Sequence, residues 1–82
     1  MTYRVEFKPR ALKDLKSIDH ANARQIIERI ELMKDNLAGD VKRLTNFSPE
    51  YRLRVGSYRV LFEVDDEMVV IYRIRHRKDA YS

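Results

Sequence analysis

The sequence predicts an α+β fold: a small single domain in the order β-α-α-β-β-β, with a helical hairpin packed on one face of a mainly antiparallel sheet. Three observations predict it. Apolar side chains recur at spacings of three and four between residues 11 and 37, residues 3–8 and 51–75 alternate with period two, and turn signals divide the second half into three strands. The 82 residues allow one domain, 1–82, that buries only about 60% of the surface of its unfolded chain.

Tyr3-Arg4-Val5-Glu6-Phe7-Lys8 alternates apolar and polar side chains and reads as a half-buried strand ending before Pro9, a residue suited to the first turn of a helix. Ala11, Leu12, Leu15 and Ile18 then form the apolar stripe of a short helix. Asp19 reads as the N-cap of a longer helix carrying Ala23, Ile26, Ile27, Ile30, Met33 and Leu37, which stops between Asn36 and Gly39. The segment from Val41 to Pro49 reads only as an extended or loop connection. Tyr51 to Val55 and Tyr58 to Val64 are strands around a Gly56-Ser57 turn, and Met68 to Arg75 is a third strand after the acidic turn Asp65-Asp66-Glu67.

Composition excludes several chemistries. With no cysteine the chain has neither a disulfide framework nor a thiolate metal site, which fits a reducing cytoplasm. No apolar run reaches the roughly 18 residues of a membrane span, and neither an export signal nor membrane insertion is expected. The only glycines are Gly39 and Gly56, so no glycine-rich phosphate loop exists, and the two histidines, His20 and His76, make no zinc motif.

The formal net charge is +4, and its distribution is uneven. Residues 1–40 hold 8 basic and 7 acidic side chains, whereas residues 41–62 hold Lys42, Arg43, Arg52, Arg54 and Arg59 against Glu50 alone. A two-residue turn at Gly56-Ser57 sets Arg54 opposite Arg59, with Arg52 and Leu61 on the same face. A three-residue turn at Asp65 to Glu67 is preferred for the next hairpin. It sets Arg59 beside Arg73, brings Arg75 just beyond the Gly56-Ser57 turn, and gives the opposite face Leu53, Val55, Tyr58, Val60, Phe62, Val64, Met68, Val70, Tyr72 and Ile74 for the helices to cover.

Five arginines on one sheet face repel one another, and a solvated face is the plain reading of them. Two features favour a phosphate-binding face instead. The cations are all arginine, whose planar fork suits bidentate phosphate contacts, and Leu61, Ile71 and Tyr81 are expected beside them as apolar neighbours for unstacked bases. The tail Arg75-His76-Arg77-Lys78-Asp79-Ala80-Tyr81 adds a second basic patch.

The segments YRVEFKPRALKDLKSI, YRLRVGSYRVLFEVDDEMVVIYRI and HRKDAY together resemble the RelE/ParE superfamily of type II toxin–antitoxin toxins over nearly the whole chain. The resemblance to its RelE branch implies a metal-independent messenger RNA endoribonuclease, without cofactor, that works in the ribosomal A site and attacks the adjacent phosphate with a ribose 2′-hydroxyl. By that resemblance the paired basic residues are Arg52 and Arg54, the motif arginine is Arg59, the late-strand arginine is Arg75 and the terminal tyrosine is Tyr81. Arg59 and Arg75 are then the phosphate clamps, with Arg52, Arg54, Arg73 and Arg77 as further RNA contacts.

One departure matters. Arg52 and Arg54 stand where the familiar RelE pattern has lysines, and an arginine stays protonated, so its part is electrostatic. Tyr81 is the expected general base, with His76 as second candidate.

The resemblance also implies a cognate antitoxin, a hetero-oligomer with it, and the ribosome and messenger RNA as partners in the cytoplasm. The antitoxin is expected on the basic face; the stripe of Leu12, Leu15, Ile26 and Ile30 reads as core, with a docking groove as its alternative. Two other readings share the fold: a ParE-like inhibitor of DNA gyrase acting by binding, and a catalytically inactive RNA- or antitoxin-binding relative.

Overall fold

A computed structural model describes residues 1–81. The elements are β1 (Arg4–Phe7), α1 (Pro9–Lys16), α2 (His20–Met33), β2 (Val41–Arg43), β3 (Tyr51–Val55), β4 (Tyr58–Asp65) and β5 (Met68–His76). They form one five-stranded sheet in the order β1-β5-β4-β3-β2, with β1 parallel to β5 and every other pair antiparallel. The helical hairpin and the three long strands lie in the predicted order, but α2 ends at Met33 rather than between Asn36 and Gly39, because Asp35 bridges to Thr2 and Asn36 and Leu37 both take a left-handed φ of 57°. The added element is β2, three residues taken from the ambiguous connection and paired along β3 from Val41↔Leu53 to Arg43↔Tyr51.

Local chemistry sets the helix ends. Pro9 opens α1, where its missing N–H is no loss, and the Ser17 hydroxyl donates to the Asp14 carbonyl at 2.8 Å at its end. The Asp19 carboxylate caps α2 by accepting from the Asn22 N–H at 3.2 Å. Ala11, Ile26, Ile30 and Met33 then pack against Leu53, Val55, Val60, Phe62, Val69, Ile71 and Ile74. Ile26 and Ile30 are core, as their spacing predicts, and Leu15 packs against it, while Leu12 and Ile27 remain exposed.

The second hairpin departs from the preferred register. Asp65 pairs with Met68, so the turn is two residues long, and the pairing jumps from Leu61↔Arg73 to Phe62↔Ile71. Tyr72 is therefore the extra residue of a β-bulge. An inserted residue reverses the facing of everything before it, so Val69 and Ile71 join the core beside Ile74, Val70 turns to the opposite face and Tyr72 is exposed. Ile71 accordingly does not border the arginines, and Arg59 pairs with Arg75 rather than with Arg73.

Leu61, Val70 and Ala80 are buried yet stand apart from the main cluster. The loop of residues 44–50 and the tail after β5 lie on the arginine face, where Leu44, Thr45, Phe47 and Tyr81 stand beside Arg52, Arg54 and Arg59. The loop is tied down where the Glu50 N–H donates to Glu63 Oε2 at 3.0 Å, and loop meets tail where Phe47 and Tyr81 pack edge to face, ring centroids 5.5 Å apart.

Candidate nucleic-acid interface

Two rows of side chains cross the uncovered part of this face. Arg54, Arg59 and Arg75 are successive cross-strand partners on β3, β4 and β5, and Lys42, Arg52, Leu61 and Arg73 form the row beside them. Adjacent strands stand about 4.8 Å apart, so the first row sets three guanidinium-bearing residues side by side. A groove of about 420 Å³ opens over the rows, lined by Lys42, Leu44, Thr45, Phe47, Arg52, Arg54, Arg59 and Tyr81. Four cations and two aromatic rings thus share one concavity.

Each cation is held differently. Arg52 Nη1 donates to the Asp40 carbonyl at 2.7 Å and to Asp40 Oδ1 at 3.0 Å, which leaves its side chain only 14% exposed. This hydrogen bond holds the Asp40 carboxyl below its usual range, assisted by the fields of Arg52, Arg54 and Arg59. Arg59 Nη1 donates to the carbonyls of Gly56 at 3.0 Å and Tyr58 at 2.9 Å, so the guanidinium arches over its own hairpin turn. Among the described residues Arg54 and Arg75 make no side-chain hydrogen bond or ion pair, which leaves their forks to a ligand.

Arg73 lies in the second row but outside the groove. Its Nε and Nη2 donate to the two carboxylate oxygens of Asp14 at 2.7 and 3.1 Å, and Asp14 Oδ2 also accepts the Ile74 N–H at 2.9 Å. Burial alone raises the Asp14 carboxyl, but the Arg73 fork and the Ile74 amide outweigh it and hold the group below its usual range. The Arg73 guanidinium is shifted upward in turn, by Asp14 first. Arg77 is exposed and donates its backbone N–H to the Ser57 carbonyl at 2.7 Å, beyond the turn.

His76 is cross-strand partner to Tyr58, on the face that carries the helices, and its ring meets Tyr58 edge-on at 5.6 Å. Its Nδ1 accepts the Lys78 N–H at 3.2 Å. The groove therefore gathers Arg52, Arg54, Arg59 and Tyr81, with Arg75 beside Arg59, and leaves Arg73, His76 and Arg77 outside. Lys42 and Phe47 are groove residues that sequence reasoning missed. For Lys42 the concentration of basic residues between 41 and 62 was a usable signal; Phe47, on an irregular loop, had none.

No helix among the described residues is long and apolar enough to cross a membrane. A family model described as the ParE toxin of the type II toxin–antitoxin system, parDE, matches residues 5–81. The chain is 34% identical over 84 residues to toxin RelE3 of Methanocaldococcus jannaschii, covering 96% of each sequence. It is 26% identical over 88 residues to the mRNA interferase toxin RelE of Escherichia coli, with 100% of this chain and 93% of that one covered. Its fold superposes with a TM-score of 0.76 on a chain of the RelB–RelE antitoxin–toxin complex from Methanococcus jannaschii, at 32% identity, covering 92% of this chain and 93% of that one.

Proposed function

Since the chain belongs to the ParE toxin family of type II toxin–antitoxin systems and is RelE-like, we propose that it is a toxin that cuts messenger RNA on the ribosome in the cytoplasm, held in check by an antitoxin in a hetero-oligomer. The observation that carries this reading is the groove, where four cations and two aromatic rings meet at one concavity. A strand of RNA offers it phosphates for the guanidinium forks and bases for the rings.

In the proposed reaction a ribose 2′-hydroxyl lying in the groove attacks the adjacent phosphate. The bond from the 2′-oxygen to phosphorus forms and the bond to the 5′-oxygen breaks. Arg59 and Arg75, neighbours across β4 and β5, stabilise the added charge on the phosphorane, a contribution that grows where water is excluded. Arg54 and Arg52 hold the flanking phosphates, and Lys42 adds a fifth cation. Tyr81, the aromatic hydroxyl of the groove, in its deprotonated form takes the proton from the 2′-hydroxyl, and solvent water returns a proton to the departing 5′-oxygen. His76 has no part in this scheme, because it is placed on the face opposite the arginine row.

The family's ParE description favours a second reading, inhibition of DNA gyrase by binding. Induction of the chain in growing cells, with mapping of new messenger RNA 5′ ends, separates the two. Growth arrest with cleavage inside translated regions, reduced about a hundredfold or more by Arg59→Ala and strongly by Tyr81→Phe, supports the nuclease. Arrest with DNA damage signalling and no new RNA ends moves the assignment to gyrase, and loss of cleavage with retained RNA or antitoxin binding to an inactive relative.

A further inference from the structure

We propose that Phe47 is the positioning residue for Tyr81, fixing where the tyrosine hydroxyl stands over the arginine row; this rests on the nuclease reading. Tyr81 lies at the end of a short tail with few constraints of its own. The tail is fastened by the Arg77 N–H on the Ser57 carbonyl, the Asp79 N–H on the His76 carbonyl at 2.8 Å, and Ala80, which is 2% exposed. These bonds fasten the backbone, while the Tyr81 side chain is 47% exposed.

The contact that orients the ring is Phe47, with planes at 84° and centroids 5.5 Å apart, the edge-to-face geometry that aromatic quadrupoles favour. Both rings border the same groove as Arg52, Arg54 and Arg59. Phe47 is itself on a pinned support. Its loop is closed by the Leu44 N–H on the Glu50 carbonyl at 2.7 Å, by Arg43 on Glu50 at 2.9 Å, and by the Glu50 N–H on Glu63. The hydroxyl thus takes its place from the sheet through Glu63, the loop and the Phe47 ring.

Such a role makes a specific kinetic demand. A group that only aims another acts on the chemical step, so its loss lowers kcat and leaves substrate binding nearly unchanged. An aromatic pair of this geometry corresponds to a rate factor of about three to ten.

The test is single-turnover cleavage of messenger RNA on ribosomes by the wild-type chain, Phe47→Leu, Phe47→Tyr, Tyr81→Phe and the double variant Phe47→Leu/Tyr81→Phe. Phe47→Leu keeps apolar volume without a ring and is expected to cut about three to ten times more slowly at saturation, with half-saturation within twofold of wild type. Phe47→Tyr, which keeps the ring, is expected to recover most of the rate, and the double variant to be no slower than Tyr81→Phe. Wild-type rate in Phe47→Leu, or additive losses in the double variant, overturns the positioning role alone. Absence of cleavage by the folded wild-type chain overturns the nuclease reading and the inference together. If Phe47→Leu does not fold, Phe47→Met alone and combined with Tyr81→Phe replaces it, and a wild-type rate in the first or additive losses in the second overturns the role.

Discussion

Arg73 closes its guanidinium fork on Asp14, 59 residues earlier in the chain, and so joins the first helix to the last strand. The pair sits where β1 ends and the edge of β5 is left without a strand partner; Asp14 takes over by accepting the Ile74 N–H. An arginine that reads in sequence as one more cation of the basic face is here a fastener of the fold.

Replacing Asp14 by alanine leaves that guanidinium and the Ile74 N–H unpaired, at a cost of about 1–3 kcal/mol. In a domain of this size the melting temperature is expected to fall by roughly 5–20 °C, read by calorimetry. An unchanged melting temperature refutes the fastening role.

The same pair carries a pH signature. The folded Asp14 carboxyl lies below its unfolded value of 3.8, so its stabilisation is fully present above that value and is lost as pH falls through the folded one. Melting temperatures of wild type and Asp14→Asn are therefore expected to differ most near neutrality and to converge below about pH 4. A constant difference across that range refutes the linkage.

Salt titration of binding to single-stranded RNA distinguishes the arginines of the two rows. Each phosphate neutralised contributes about −0.7 to the slope of log K against log salt. Arg54→Ala is expected to flatten that slope by about 0.7, whereas Arg73→Ala, measured where it remains folded, leaves it unchanged. Equal slopes for both variants refute the division between groove and fastener.

Asp40 works against the groove it borders, since its carboxylate lies against Arg52. Asp40→Asn removes a negative charge and is expected to tighten RNA binding about two- to fivefold at low salt, an advantage that shrinks as screening increases. Weaker binding instead shows that Asp40 matters more for aiming Arg52 than for opposing the ligand.

What the sequence made legible follows from how local each constraint is. The facing of Arg54 and Arg59 rests on the Gly56-Ser57 turn, a short-range signal, and the structure keeps it. The partner of Arg75 depends on a bulge at Tyr72, and nothing in the alternation of Met68 to Arg75 marks an inserted residue. The three residues of β2 are too few for periodicity to register. The Asp14–Arg73 pair and the Phe47–Tyr81 contact join segments 59 and 34 positions apart, and only the folded chain brings them together.

The position of β5 also governs when the molecule becomes itself. β5, the latest of these strands in chain order, lies inside the sheet, between the first strand and β4. Until residues 68–76 leave the ribosome, β1 has no neighbour, Asp14 has no arginine and Arg59 lacks Arg75 beside it. Such long-range pairing closes late because the intervening loop must be ordered first. A chain ordered only as far as β4 therefore carries its helices and first hairpin without the parallel pair, the Asp14 fastener or the full arginine row.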